Sequence, residues 1–498
     1  MNIILPVLTL FEKIVAFIKQ VIIADFFGTN QLTDEYQIAE NIISLFRGTF
    51  SNSLPIVFLT HVVFKKARND NWKEYCSKVF GTSSIVVLLV MIIFVTVICT
   101  LCISENGHVI GILFSKTLLL FLLILSPTIF LGYISTLMGA MLEADKIYWP
   151  AKILSLLTSI SIIGTVILLF EDYGLIAIFL GEIFALSAHV LLLLYVLKRN
   201  SLLITPKISF YEADQTRAWR SCIPLMISSS VYSLNSLIDK AIAVRVIDGA
   251  ATVLQYSRAL TLELFPTIIV TAFSGVIIRN LSERVAKKEF TELERWCTEI
   301  LQLFFGFLGV VLIVSLIYSK ELISIAFMRG AFDYNSVSLT NVAFYGYAFG
   351  IILLPIREIS TRVFYAFNDT KIPFISSMIG IAVNVVLSIV LSQFVGLFGI
   401  SFSTTISIAI SGIINIIMLN RKYTITIMKI SREWLKVLMG LLAVLILNII
   451  ISRFITSFSV VAFLTSVSLL SVMTYYIITK CLNSVSSVYI FSLYKRNE

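Results

Sequence analysis

Residues 85–103 read IVVLLVMIIFVTVICTLCI, a run of 19 residues without a charged side chain. About 20 apolar residues form a helix long enough to cross the hydrocarbon core of a bilayer. Similar runs recur along the chain, and they are too long and too nearly unbroken for the alternating ten-residue strands of a membrane barrel. The sequence therefore predicts an all-α, polytopic membrane protein.

The composition supports the same class. Of the 498 residues, 58% are hydrophobic and 13% are charged, and the mean hydropathy is +0.96. These values exclude a soluble globular chain. The formal net charge of +9 does not point to nucleic acid, because much of it lies in short loops where anionic lipid headgroups are the ordinary partner.

We predict fourteen spans, centred near residues 14, 47, 90, 129, 160, 185, 232, 266, 307, 350, 383, 408, 444 and 468. Clusters of Lys and Arg follow spans 2, 6, 8 and 12, and basic loops stay on the cytoplasmic side. The connections 26–33, 171–174 and 392–398 contain no Lys or Arg, although Lys320 and Arg329 run against the trend. Both termini are therefore expected in the cytoplasm.

Charged residues also lie inside spans 1, 2, 7 and 8. A charged side chain at the bilayer centre costs about 2.5–3.5 kcal/mol, so such residues usually face a polar cavity. Glu40 and Arg47 are seven residues apart and share one face of their helix, as do Glu12 and Lys19. The full set is Glu12, Lys13, Lys19, Glu40, Arg47, Asn235, Asp239, Lys240, Arg258 and Glu263.

Two interpretations of this set are open. The charges either pair with one another as structural ion pairs or line an anion-binding cavity. We favour the cavity, because so many buried charges would be a poor way to stabilise a helix bundle. Glu182 stands alone in span 6, where a polar contact between helices and a functional role are equally open.

A short internal repeat indicates two related halves. Ile23-Ala24, Gly28 and Tyr36 resemble Ile242-Ala243, Gly249 and Tyr256. Repeated halves with a site between them are common in secondary transporters. We predict a lobe over residues 1–200, a second over 201–430, two extra helices over 431–482 and a cytoplasmic tail over 483–498.

Several motifs resemble those of the MviN/MurJ lipid II flippases, which belong to the multidrug/oligosaccharidyl-lipid/polysaccharide exporter superfamily. They occur in the family's order over most of the chain. The motifs are Lys13 through Arg47, Leu237 to Lys240, Tyr256 to Pro266, Arg329 to Asp333, Phe364 to Ala366, and Asp369 to Pro373.

The resemblance implies a flippase that moves an undecaprenyl-diphosphate-linked saccharide, such as lipid II, to the outer leaflet of the bacterial cytoplasmic membrane by alternating access. It also implies two six-helix lobes around a central cavity, with the last two helices forming a groove for the lipid tail. The substrate-binding positions that it implies are Lys13, Lys19, Asp34, Arg47, Arg258 and Glu263. Glu12, Glu40 and Lys240 are expected as charge partners in the cavity.

The chain departs from the family pattern at several positions. Lys13 and Lys19 replace arginines, and Arg258 and Glu263 are five residues apart instead of three. Some family members resemble a sodium site, whose positions here are Asp239, Asn384, Ser388, the backbone at Ile400, and Thr404. Ser388 replaces a carboxylate there, so sodium and the membrane potential remain equal alternatives as the driving force.

Other functions remain as alternatives. The chain could instead carry another polyprenyl-linked oligosaccharide for capsule or surface polysaccharide. A multidrug or cation antiporter would rely on intramembrane carboxylates, and a non-transporting scaffold would keep only a degenerate cavity. No metal cluster, nucleophile with a base, or phosphate loop indicates an enzyme. We expect a monomer that contacts membrane lipids and no nucleic acid.

Overall fold

The computed structural model describes residues 4–67, 71–103, 115–209, 213–266, 274–367, 369–428, 432–453 and 460–482. Within these ranges the regular structure is helical, with one π-helical turn and no strand. Helices satisfy their backbone hydrogen bonds internally, which a chain in hydrocarbon requires. The all-α, polytopic class predicted from the sequence is confirmed.

The chain forms two compact units, the first over Ile14–Val244 and the second over Met1–Lys13 with Arg245–Glu498. The first helix, α1 (Ile4–Phe27), begins in the second unit and continues into the first. Those of the first unit are α1 (Ile4–Phe27), α2 (Gln31–Ala67), α3 (Trp72–Ile103), α4 (Lys116–Leu125), α5 (Pro127–Ala144), α6 (Trp149–Lys152), α7 (Leu154–Tyr173), α8 (Ile176–Arg199) and α9 (Ala213–Ala243). The long helix α2 packs against α4, α5 and α9, while α8 packs against α5 and α7.

The second unit continues the chain from residue 245. Its helices are α10 (Ala250–Arg258), the π-helical turn Ala259–Leu264, α11 (Ser274–Ala286), α12 (Phe290–Ile317), α13 (Ser319–Phe327), α14 (Tyr334–Ala348), α15 (Gly350–Ala366), α16 (Lys371–Tyr423), α17 (Arg432–Ser452) and α18 (Val460–Cys481). The helix α16 packs against α14 and α15, and α12 packs against α17 and α18. The predicted lobe boundaries stay a prediction.

Ten helical stretches among the described residues are long and apolar enough to cross a membrane. The count of fourteen predicted spans is compatible with them. The 53-residue helix α16 bends at Gly396, where φ is 58° and ψ is −132°, so it can supply two spans. Charged residues interrupt α1 and α9, as expected for helices that carry part of a polar site.

The two turns of the internal repeat share their local structure. Gly28 and Gly249 both adopt positive φ angles, 61° and 82°, at the turn between two helices. Glycine reaches this region without the penalty that a Cβ atom brings. Tyr36 and Tyr256 are both buried one to two turns into the following helix. The repeat is therefore visible in backbone conformation as well as in sequence.

The turn between α15 and α16 is fixed by Asp369. Its Oδ2 atom accepts hydrogen bonds from Lys422 Nζ at 2.7 Å and from the Tyr423 hydroxyl at 3.1 Å. Its Oδ1 atom accepts from the backbone N–H of Lys371 at 3.1 Å. Burial raises the pKa of the Asp369 carboxyl, but the bonds from Lys422, Ile372 and Tyr423 outweigh burial and hold that pKa below its ordinary value.

The last two helices pack on α12 through an apolar cluster that includes Val310, Tyr318, Val437 and Val444. Asn448 lies inside this cluster and donates a hydrogen bond from Nδ2 to Ser471 Oγ at 2.9 Å. A bond of this kind between helices satisfies polar groups that hydrocarbon would leave unpaired. The opposite face of α17 exposes large apolar side chains, namely Leu435, Leu438, Met439, Leu442, Ile446 and Ile450.

Candidate functional site

Arg47 is the centre of a group of charges inside the first unit. Its Nη2 atom donates to Glu40 Oε1 at 2.9 Å, and its Nη1 atom donates to Glu182 Oε1. Glu40 lies two helical turns before Arg47 on α2, so the seven-residue spacing brings both onto one face, as predicted. Glu182 lies on α8, and the structure identifies Arg47 as its partner, which the sequence left open.

The aliphatic stem of Arg47 lies against Gly132 of α5. A Cβ atom at Gly132 would come within 2.8 Å of Arg47 Cδ and 3.0 Å of Cγ. Real Cβ atoms are essentially never this close to another heavy atom, so glycine makes room for the arginine stem. The guanidinium is thus held by two carboxylates at its tip and by close packing along its stem.

Two lysines complete this group, which we call the Arg47 cluster and define as Lys19, Glu40, Arg47, Glu182 and Lys240. Lys19 and Lys240 lie near enough to attract the Glu40 carboxylate, although more weakly than Arg47 does. Lys240 is buried and donates a hydrogen bond from Nζ to Gln37 Oε1 at 2.8 Å. Three basic and two acidic side chains give the cluster a formal charge of +1. This arrangement suits an anion better than a cation.

Asp34 lies away from the cluster along the same helix. It is buried in the first turn of α2, beside the Asn30–Thr33 turn. Thirteen residues of α-helix separate Asp34 from Arg47, which corresponds to about 20 Å. Asp34 is therefore placed at one end of α2, whereas Arg47 is placed well inside it.

Glu12 and Lys13 lie on α1 and are half-buried. Both precede Ile14, where the first unit begins, so they are assigned to the second unit. Lys19, six residues after Lys13, falls in the first unit. The predicted site residues of α1 are thus divided between the two units.

Arg258 and Glu263 form an ion pair in the second unit, with 3.3 Å between Arg258 Nε and Glu263 Oε1. The π-helical turn Ala259–Leu264 begins directly after Arg258. A π turn closes over five residues instead of four, so residues i and i+5 come to lie above one another. The five-residue spacing therefore still produces a pair, because the helix is wider at this point.

Four of the five predicted sodium positions lie on α16. Asn384, Ser388 and Thr404 are buried, and Ser388 Oγ lies 2.5 Å from Ser403 Oγ. The Ile400 carbonyl accepts hydrogen bonds from Ser403 at 2.7 Å and from Thr404 at 3.4 Å. The remaining position, Asp239, is buried on α9 in the other unit.

Oxygen donors of this kind suit a hard cation such as sodium. The α16 positions contribute hydroxyl, amide and carbonyl oxygens but no carboxylate. Across the described ranges, no group of three His, Cys, Asp or Glu side chains is placed to hold a metal ion. Any ion at these positions would therefore be bound by largely neutral ligands.

Comparison with known proteins shows which family the chain matches. Residues 23–487 match the family described as "Lipid II flippase MurJ". A protein named "Probable lipid II flippase MurJ" from Treponema pallidum (strain Nichols) is 23% identical over 443 residues, with 86% of this chain and 82% of the relative covered. One with the same name from Rickettsia prowazekii (strain Madrid E) is 25% identical over 421 residues, covering 81% and 80%.

Solved structures show the same fold. "Lipid II flippase MurJ, inward closed conformation" superposes with a TM-score of 0.78 at 22% identity, covering 96% of this chain and 98% of that one. An inward-facing multidrug resistance MATE family transporter of the MOP superfamily superposes with a TM-score of 0.69 at 11% identity, covering 83% and 94%. At such identities the likeness concerns the fold alone.

Proposed function

Because the chain belongs to the lipid II flippase MurJ family, we propose that it carries lipid II from the inner to the outer leaflet of the cytoplasmic membrane. Membership of this family makes the chain a membrane transporter and not an enzyme. Ten apolar helical stretches among the described residues agree with a multi-pass membrane protein. We further propose that it acts as a monomer with both termini in the cytoplasm.

The Arg47 cluster is the observation that carries this proposal. A lipid-linked diphosphate cannot cross hydrocarbon without cations to compensate its charge. Arginine binds phosphate through a bidentate fork, and lysine binds it as a point charge. The cluster supplies Arg47, Lys19 and Lys240 inside the apolar helices of the first unit. A cation-binding antiporter would need the opposite balance of charge.

We propose alternating access as the mechanism. The diphosphate and its saccharide would occupy a polar cavity that opens first to the cytoplasm and then to the outer side, while the polyprenyl tail stays in lipid. We also propose Arg258 and Glu263 as substrate-binding residues. Transporters with repeated halves commonly work in this way, and the paired turns at Gly28 and Gly249 are consistent with such halves.

The energy source is proposed as either sodium binding or the membrane potential. Asp239, Asn384, Ser388, the Ile400 carbonyl and Thr404 would hold a sodium ion, whose charge would favour one conformation over the other. The membrane potential would act instead on the charges of the cavity. Thermal stability in sodium and potassium salts separates these alternatives.

Depletion of the resident lipid II flippase in a bacterial host, with this chain as the only replacement, tests the proposed function. We expect growth with the wild-type chain and lysis with Arg47→Ala at equal expression. Failure of the wild-type chain despite good membrane expression would contradict lipid II as the substrate. That result would favour a different polyprenyl-linked oligosaccharide, which carries the same linkage chemistry.

A further inference from the structure

The two carboxylates that hold Arg47 differ in their surroundings. The Glu182 side chain is 8% exposed, whereas that of Glu40 is 27% exposed. The second Glu40 oxygen, Oε2, is buried and accepts no hydrogen bond from any residue that the structure describes. Glu182 is therefore the more deeply buried of the two partners.

A phosphate that binds Arg47 through two parallel hydrogen bonds needs two adjacent N–H groups of the guanidinium. Both terminal nitrogens already donate to a carboxylate. Each of these nitrogens keeps a second N–H group, but a diphosphate that takes them brings negative charge against both carboxylates. The repulsion is relieved when one carboxylate gives up its contact with Arg47. Leaving a buried carboxylate without a partner is strongly unfavourable, so the more exposed carboxylate is the one that yields at lower cost.

We propose that Glu182 is a positioning residue that keeps Arg47 in place, and that Glu40 occupies the position on Arg47 that the diphosphate of the substrate takes. The inference rests on the proposed function. Lys19 and Lys240 would limit the cost of its release, because both attract its carboxylate, although less strongly than Arg47 does. Glu182 would remain bound to Arg47 throughout.

Gly132 provides independent support for a fixed Arg47. The stem of Arg47 fills the space that a side chain at position 132 would need. A guanidinium fixed along its stem and at one nitrogen loses less conformational freedom when it binds an anion. The structure thus presents Arg47 to the substrate already oriented, with Glu182 and Gly132 as the two supports.

A matched pair of variants tests this assignment. Glu40→Gln and Glu182→Gln each remove one negative charge and keep the size of the side chain. If only the net charge of the cavity mattered, both would strengthen binding of a diphosphate to a similar degree. We expect instead that Glu40→Gln binds at least as tightly as the wild type, whereas Glu182→Gln binds about tenfold more weakly.

Gly132→Ala is the third variant, because it displaces the Arg47 stem without changing any charge. We expect it to weaken binding in the same direction as Glu182→Gln. The measurement is equilibrium binding of lipid II to the purified full-length protein, with thermal unfolding of each variant as the control for folding. If Glu182→Gln does not fold, Gly132→Ala carries the test. Unchanged binding by this variant would show that substrate binding does not need a positioned Arg47, which would overturn the positioning role of Glu182.

Undecaprenyl diphosphate is titrated in parallel, because it has the diphosphate without the saccharide. Equal shifts of affinity in the two glutamine variants would overturn the role of Glu182 and leave the proposed function intact. If the wild-type protein bound undecaprenyl diphosphate but not lipid II, the proposed substrate would be contradicted. The role of Glu182 would then be tested with the variants and undecaprenyl diphosphate. Wild-type binding of neither ligand would overturn both.

Discussion

Arg258 and Glu263 pair across a π-helical turn, with 3.3 Å between Nε and Oε1. Single π turns within α-helices are frequent at functional sites. The helical segment before this turn, Ala250–Arg258, is almost entirely buried. Arg258 and Glu263 are the charged residues at the point where the helix widens. The wider turn gives both side chains the same direction despite the five-residue spacing.

Arg258→Ala is expected to abolish replacement of the lipid II flippase in a depletion strain, because it removes a cation that the substrate's diphosphate would contact. Arg258→Lys keeps the charge and should retain part of the activity. Cell growth at matched membrane expression is the measurement. Full activity of Arg258→Ala would exclude this residue from the transport site.

Lys19→Ala is expected to abolish flipping while leaving membrane insertion intact, because Lys19 is one of three cations in the Arg47 cluster. Lys19→Arg is the matched control and should keep activity, since arginine also binds diphosphate. Both variants are compared by complementation and by the amount of protein in the membrane. Full complementation by Lys19→Ala would refute a role for the cationic group on α1.

The sequence predicted the fold because long apolar runs leave few alternatives to membrane helices. It also predicted that Glu40 and Arg47 share a face, since a spacing of seven residues is two turns of an α-helix. Periodicity of this kind concerns one helix at a time. It could mark Glu182 as an intramembrane carboxylate, but it could not identify Arg47, 135 residues away, as the partner.

The π turn could not be predicted from the sequence for a different reason. Spacing arguments assume 3.6 residues per turn, and residues 259–264 depart from that value. The role of Gly132 was also hidden, because it depends on how closely α2 and α5 approach. Both features arise from tertiary packing, which a single helical pattern does not encode.

Sodium is expected to raise the thermal unfolding midpoint of the purified protein by about 2–4 °C relative to potassium if the ion binds the native state with useful affinity. Asp239→Asn should reduce this difference, because it removes the only carboxylate among the five positions. Ser388→Asp supplies the missing carboxylate and should enlarge it. Equal effects of sodium and potassium would count against this site and favour the membrane potential.

Asp369→Asn is expected to lower the midpoint of thermal unfolding by a few degrees at pH 7, because the Asp369 carboxylate accepts bonds from Lys422 and Tyr423. The pKa of Asp369 is lower in the folded chain than its ordinary value of about 3.9. Its contribution is therefore complete above that value and is lost as the pH falls through the folded pKa.

The difference in thermal stability between wild type and Asp369→Asn should accordingly be constant near neutral pH and shrink below about pH 4. Thermal unfolding of both proteins over a series of pH values measures it. If this difference in thermal stability grew as the pH fell, folding would destabilise the carboxylate. That result would contradict the stabilising role of the hydrogen bonds to Asp369.

Flipping of lipid II by Arg47 variants in reconstituted liposomes shows whether Arg47 lies in the transport path. Arg47→Glu should be inactive, because it replaces the central cation of the cluster with a third carboxylate. The double variant Glu40→Arg with Arg47→Glu restores one cation and the ion pair on the same helix face, and it should recover part of the activity. Wild-type rates of flipping in Arg47→Glu would place Arg47 outside the transport path and overturn the proposed role of the Arg47 cluster.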